Sequence, residues 1–255
     1  MSPADPGFRP CVVIPVYDHE GAIGQTVAEL ERHGLRTYLV DDGSKPACAE
    51  VLDALAARWP WVRVLRHAQN QGKGAAVRTG CTAAHADGYT HAVQVDADGQ
   101  HDLDDLPKLL ALAAEAPDAV VTGIPIYDES VPKSRLYGRY LTHVWVWINT
   151  LSLEIRDSMC GFRVYPLAAA LDLWRTAYIG RRMDFDTEMI VRLYWRGVPV
   201  RQLPTRVTYP RDGVSHFDLL WDNVRLTAMQ TRLGFGMLLR LPLLLWRLVR
   251  RHLPA

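Results

Sequence analysis

Two rhythms of apolar and polar positions alternate along the first half of the chain. Short apolar runs of strand length, CVVIPVY at 11–17, TYLVDDGS at 37–44, VRVLRH at 62–67, HAVQVDADG at 91–99 and DAVVTGIP at 118–125, alternate with stretches whose apolar residues recur at helical spacing. GAIGQTVAELERHG predicts a helix ended by Gly34, ACAEVLDALAARW a second, KGAAVRTGCTAAHADG a third, and DLPKLLALAAEA a fourth with Pro107 near its start. Strands and helices alternating at these lengths imply right-handed βαβ crossovers. The fold class that follows is α/β, with a mostly parallel central sheet and helices on both faces.

Composition narrows this picture without changing it. The 255 residues are 49% hydrophobic and 22% charged, an ordinary globular balance with enough length for a sizeable core. A net charge of +1 gives no reason to expect nucleic acid as a partner. The distribution is less even, because Arg225, Arg232, Arg240, Arg247, Arg250 and Arg251 face no Asp or Glu from 225 to the end. The chain is therefore read as a domain over 1–230 followed by a basic amphipathic segment over 231–255. Cys11, Cys48, Cys81 and Cys160 show no C-x-x-C spacing, and no hydrophobic signal precedes the first strand, which favours reduced thiols in a cytoplasmic setting. No apolar run is long enough to cross a bilayer, and neither an internal repeat nor a low-complexity segment is present.

Candidate chemistry gathers where strands end. Ligands of such sheets sit beyond the carboxyl ends of the strands, and there the chain places Pro15-Val16-Tyr17-Asp18, Asp41-Asp42-Gly43-Ser44 and Asp96-Ala97-Asp98-Gly99-Gln100. An Asp-x-Asp turn by itself reads more readily as a solvated loop; beside a second Asp pair on the same rim the balance reverses and it reads as a site. Asp96, Asp98 and Gln100 offer hard oxygen ligands suited to Mg²⁺ or Mn²⁺, whose coordination substrate phosphates commonly complete. Asn70-Gln71-Gly72-Lys73-Gly74 puts a glycine-flanked Lys before a helix N-terminus, where anions are favoured, although the spacing is not that of a Walker A loop.

These motifs, with CGFRVYP and DFDTEMIVRLYWRGVPVRQLP further on, occur in an order that resembles family 2 glycosyltransferases of the GT-A fold, over about Pro10 to Phe217. Within that family the chain is similar to polyprenol-phosphate (dolichol-phosphate) sugar synthases and to small bacterial enzymes of aryl-polyene type lipid pathways. The resemblance implies that Pro15, Tyr17 and Asp42 line the nucleoside pocket of a UDP- or GDP-sugar. It implies that Asp96, Asp98 and Gln100 hold the metal on the diphosphate. Arg211 and His216 would stand where the family carries an Arg and a Lys toward donor phosphates or acceptor. An Arg common after the fifth strand is replaced here by Gly123-Ile124-Pro125, leaving Lys133, Arg135 or Arg139 as the substitute cation, with Arg135 placed among the donor-binding residues beside Lys73.

Departure of a sugar from a nucleotide diphosphate leaves negative charge on the phosphate, which a metal and nearby cations stabilise. A lipid phosphate acceptor needs no base, whereas a hydroxyl needs a carboxylate within reach. The base is expected from Arg181–Glu188, with Asp186 first and Asp184 second, and the reaction is expected to invert the anomeric carbon. The tail GMLLRLPLLLWRLVRR places Arg240, Arg247, Arg250 and Arg251 within about 100° of a helical wheel. This suits a helix lying in a membrane interface, kinked at Pro242, and hence an enzyme peripheral to the inner face of the plasma membrane acting on a lipid acceptor; packing on the domain or on a second subunit is the other reading. His33, His67, His85 and His91 are read as surface or half-buried. A nucleotidyltransferase and a non-catalytic nucleotide-binding module at the membrane remain as alternatives, and the oligomeric state is open.

Overall fold

The computed structural model describes residues 7–127, 131, 133–208 and 219–252. Strands β1 (Pro10–Val16), β2 (Thr37–Asp41) and β3 (Val62–Arg66) alternate with helices α1 (Glu20–Leu30), α2 (Pro46–Arg58) and α3 (Lys73–Ala86). After them come β4 (His91–Gln94), α4 (Leu106–Glu115), β5 (Val120–Tyr127), α5 (Lys133–Thr150), β6 (Arg163–Pro166), α6 (Leu167–Thr176), α7 (Phe185–Trp195), β7 (Val200–Val207) and α8 (Leu219–His252). All seven strands form one sheet in the order β3-β2-β1-β4-β6-β5-β7. Only β6 runs antiparallel to its neighbours β4 and β5, so the expected mostly parallel sheet is observed.

Successive residues of β1 explain why its run is apolar throughout. Cys11 and Val13 enter the core that α3, α6 and α7 cover, while Val12 and Ile14 enter the core under α1, α2 and α4. A strand buried on both faces has no polar side to alternate with. Each of these fully buried aliphatic side chains contributes roughly 1.5–3 kcal/mol. Helix α7 is buried on nearly every side, from Phe185 to Trp195, between the sheet and the outer helices, so the polar Asp186, Thr187 and Glu188 of its first turn are buried too and need partners. All four cysteines are buried and free.

The C-terminal run is one long helix containing Pro242, continuous through residue 230. Its docking turns two of the four wheel-aligned arginines inward, contrary to the expectation that they reach toward lipid. Arg247 donates to the carbonyls of Tyr194 and Trp195 at the end of α7, and Arg240 lies 4.8 Å from the Trp195 ring centroid. Cations are favoured at a helix C-terminus and over indole faces, so Arg240 and Arg247 pack on the domain, while Arg250 is exposed. The apolar stripe then faces outward, with Leu239 84% exposed and Phe235, Trp246 and Val249 exposed beside it. Helix α5, which packs against α8, adds Tyr137, Tyr140, Leu141 and Trp145 to the exposed apolar surface. Among the described residues no helix is long and apolar enough to cross a membrane.

Candidate active site

The sheet reverses its winding beside β1. Connections through α1 and α2 step from β1 to β2 to β3, and α3 then returns the chain to β4 on the other side of β1. Connections therefore diverge above β1 and β4 and leave a crevice at their carboxyl ends. The turns after β1 and β2 are tied to each other on one side of it: the Asp18 amide donates to Ser44 Oγ, and the Lys45 amide to Asp18 Oδ1. Pro15 and Tyr17, both half-buried, stand at this rim.

Asp42 is buried, and both of its carboxylate oxygens are engaged. They accept from the amides of Gln71 at 2.9 Å and Gly72 at 2.7 Å, and His67 Nδ1 lies 2.7 Å away. His67 is held on its other side by Thr79 at 2.9 Å. Asp42 thus shapes the loop that delivers Lys73. Gly72 in that loop has φ +100, and a Cβ there would stand 2.3 Å from the carbonyl oxygen of Arg181, so both conformation and space require glycine.

Lys73 leads to the centre of the site. Its ammonium lies 2.8 Å from Asp96 Oδ1 and 2.8 Å from Asp186 Oδ2. One cation thereby joins the acidic loop after β4 to the start of α7, positions separated by 90 residues of sequence. Asp186 Oδ1 accepts from Gln94 Nε2 at 2.9 Å. Burial would lower the Lys73 pKa, but the two carboxylates more than offset it and hold the group cationic. Burial would likewise raise Asp96; Lys73, and after it His101, instead hold that carboxyl well below the usual range. Asp98 is pushed up, first by burial and then by the neighbouring charge of Asp96.

His101 Nε2 lies 3.5 Å from Asp96 Oδ2, and its ring stacks on Phe162 at 5.3 Å. Neither ring nitrogen makes a hydrogen bond among the described residues. The Gln100 amide donates to Asp98 Oδ1 at 3.1 Å, which closes the turn. Among the described residues no cluster of three His, Cys, Asp or Glu is arranged as a metal site. Two adjacent carboxylates with an unbonded imidazole beside them fit a divalent ion that takes its remaining ligands from substrate oxygens, and do not fit a metal caged by protein alone.

Asp184 and Asp186 face different surroundings. Asp184 accepts from the Arg182 amide at 3.1 Å and lies 3.8 Å from Arg232, and its carboxyl is raised chiefly by burial. Only Asp186 joins Lys73 and Asp96. Arg139 is bound to Asp157 through two bonds of 2.6 and 2.7 Å, so its charge is already matched. The backbone of Arg135 belongs to α5; its side chain, Arg211 and His216 lie outside the described residues.

Sequence reasoning passed over Gln94 and Arg163, and left the direction of His101, beside the acidic loop, open. Gln94 and Arg163 each interrupt an apolar strand, VQV and FRV, which was the available signal. His91, read as surface or half-buried, is buried and donates from Nε2 to the Pro117 carbonyl oxygen at 2.8 Å.

Comparisons with known proteins agree with this fold. The family model described as glycosyl transferase family 2 matches residues 11–169. Dolichyl-phosphate beta-glucosyltransferase ALG5C of Trichomonas vaginalis is 30% identical over 212 residues, covering 75% of this chain and 61% of that protein. The chain therefore spans about three fifths of that relative's length. Dolichyl-phosphate beta-glucosyltransferase of Drosophila melanogaster is 28% identical over 226 residues, 80% of this chain and 68% of that one. Among solved structures, glucosyl-3-phosphoglycerate synthase from Mycobacterium tuberculosis, in complex with Mn²⁺, UDP-glucose and phosphoglyceric acid, superposes with a TM-score of 0.65 at 18% identity, over 92% of this chain and 80% of that one.

Proposed function

The chain belongs to glycosyl transferase family 2 and has the GT-A fold, and from that premise we propose that it moves a sugar, with inversion, from a nucleotide-sugar to a lipid-linked acceptor in a metal-dependent reaction. The observation that carries this reading is the Lys73 ammonium shared between Asp96 and Asp186. It unites a cation-holding loop, a fixed positive charge and a candidate base in one crevice.

Asp96 and Asp98 would hold Mg²⁺ or Mn²⁺, with Gln100 in the same turn. A divalent ion, when bound, supplies positive charge to the diphosphate that leaves. Lys73 adds a preorganised cation at the same point, where charge develops as the bond from the anomeric carbon to the phosphate oxygen breaks. An acceptor oxygen attacks from the opposite face, forms the new bond to that carbon and inverts it, and the nucleoside diphosphate departs with the electron pair. A lipid phosphate, with a second pKa near 6, arrives largely ionised, so Asp186 need take only the proton left on a monoanion; a hydroxyl acceptor would rely on it fully. Arg135, Arg211 and His216 are retained as proposed donor or acceptor contacts, and Pro15 and Tyr17 as nucleoside contacts. Asp42 is proposed to act on the donor through the loop it shapes.

The lipid acceptor is supported by the names of the relatives and by the outward apolar surface of α5 and α8, where exposed Trp and Tyr suit a membrane interface. Such a contact would fall on the exposed Leu and Trp side of α8. The surface supports a peripheral position at a membrane, and the inner face is retained as a proposal.

The test is release of nucleotide from a panel of UDP- and GDP-sugars by purified protein with Mn²⁺ or Mg²⁺, with and without polyprenyl phosphate. Release that needs both the metal and the lipid is expected. No release from any donor, or release indifferent to the lipid, would overturn the reading.

A further inference from the structure

Arg163 is wholly buried and is the largest of the fully buried side chains, yet its hydrogen bonds go to uncharged oxygens. Its Nε donates to Thr122 Oγ1 at 3.3 Å, Nη1 to Tyr165 Oη at 3.2 Å and to the Asp186 carbonyl at 2.8 Å, and Nη2 to the Ser158 carbonyl at 3.0 Å. A guanidinium taken out of water without a bonded carboxylate is costly, by several kcal/mol per ion. Methionine or leucine would fill the same space without that penalty.

Its placement gives the cost a use. Gln94 on β4, Arg163 on β6 and Thr122 on β5 are direct partners across the antiparallel pairings. They form one row on one face of the sheet, directly beneath the start of α7. From this row Gln94 holds the Asp186 carboxylate and Arg163 holds the Asp186 backbone. The second arm of Arg163 grips Ser158 in the turn of residues 157–161, and Ser158 Oγ meets Thr187 Oγ1 at 3.3 Å. That turn ends at Gly161, where a Cβ would stand 2.2 Å from Asp96 Oδ2, so the turn is the wall against which Asp96 rests. One guanidinium therefore ties the helix bearing Asp186 to the wall behind Asp96.

We infer that Arg163 is a positioning residue for glycosyl transfer, fixing Asp186 relative to the Asp96 loop from below the sheet surface. The inference rests on the transfer reading above for its catalytic consequence and on hydrogen bonds alone for its structural one. Two measurements separate them. In the first, hydrogen exchange is followed in wild type and Arg163→Met. Faster exchange confined to segments 157–162 and 184–188, with β1 to β3 unchanged, is expected; unchanged exchange in those segments would overturn the inference whether or not the protein is a transferase.

In the second, a donor that wild type turns over is given to Arg163→Met, Arg163→Lys and Arg163→Ala. We expect kcat to fall at least about 100-fold in the Met variant, while donor KM and Mn²⁺ affinity stay within about threefold. The Lys variant should stay closer to Met than to wild type, because an ammonium cannot span the four acceptors. Added ethylguanidinium should restore at least about tenfold in the Ala variant, whose vacated space retains those oxygens. A purely structural Arg163 would lower activity only in proportion to the folded fraction and show no such recovery. That outcome, or a Met variant within about threefold of wild-type kcat, would overturn the inference.

Discussion

Replacing Lys73 by Met removes one ammonium and leaves Asp96 and Asp186 without the cation they share at 2.8 Å each. Breaking a buried pair from one side costs about 3–5 kcal/mol when burial is complete. The Lys73 side chain is 21% exposed and that of Asp96 24%, so water recovers part of this and about 2 kcal/mol of stability should be lost at neutral pH. The loss depends on pH in a defined direction. Lys73 depresses the Asp96 pKa in the folded protein, so their attraction is present above the unfolded Asp value of about 3.9 and fades as pH falls below it. The raised Lys73 pKa preserves the contribution up to the unfolded Lys value of about 10.4, beyond which it declines as pH rises. Urea unfolding of both proteins should therefore show the full difference between about pH 5 and pH 10 and a smaller one near pH 3. In turnover, loss of a preorganised cation facing the leaving phosphate should lower kcat about 100-fold, equivalent to about 2.7 kcal/mol at 1.36 kcal/mol per decade. A Met variant with kcat within about threefold of wild type and an unchanged unfolding midpoint would refute the reasoning.

Other outcomes follow from particular contacts. Gly161→Ala drives a methyl into the Asp96 carboxylate and should weaken Mn²⁺ binding in the presence of donor by at least about tenfold, read by titration calorimetry. Asp157, held well below the usual carboxyl range, against burial, by His143 and Arg139, stabilises the fold above about pH 4 and loses that contribution as pH falls further; Asp157→Asn should remove the acid-side part of the stability profile, measured by thermal melts from pH 3 to pH 7. Burial pushes the Cys11 and Cys160 thiols up to about 12, so neither should react with a disulfide reagent at pH 8 until denaturant is added. Trp246→Glu with Leu239→Glu, on the outward side of α8, should lower binding to anionic liposomes at least about tenfold without changing the melting temperature.

The half of the chain before residue 120 was legible because local rules govern it. The strand-length runs at 11–17, 37–44 and 62–67 and the helical periods between them need no distant partner to be read; β1 and β3 lie within a residue of their runs, while β2 stops at Asp41, three residues short, and α1 ends at Leu30 ahead of a short 3₁₀ turn over Glu31–His33. The run at 91–99 was read too long: β4 stops at Gln94, and Asp96 to Gly99 turn away to form the acidic loop. The short β6, RVYP, was not assigned, since a run of that length fits either a strand or a buried helical turn. Its antiparallel insertion between β4 and β5 is a tertiary pairing with no local signature.

The site divides in the same way. Asp96, Asp98, Lys73 and Asp186 were visible as residue types at strand ends and a helix start. Their joining through one ammonium was not, because Lys73 and Asp186 lie 113 positions apart. The charge of Arg240 and Arg247 was read for lipid since a helical wheel shows which residues share a side, not what that side meets. Trp195 and the end of α7 supply the partner, and only the packed structure shows it.

The central claim is that Asp96 and Asp98 hold a divalent ion against the diphosphate while the sugar departs. It is tested most directly by mass spectrometry of the glycolipid formed from a turned-over nucleotide-sugar and polyprenyl phosphate, comparing wild type with Asp98→Ala under Mn²⁺, under chelator and after Mn²⁺ is restored. Wild-type product should vanish with chelator and return with the metal, and Asp98→Ala should form at least about 100-fold less throughout; equal product from the variant, or product indifferent to the chelator, would contradict the account.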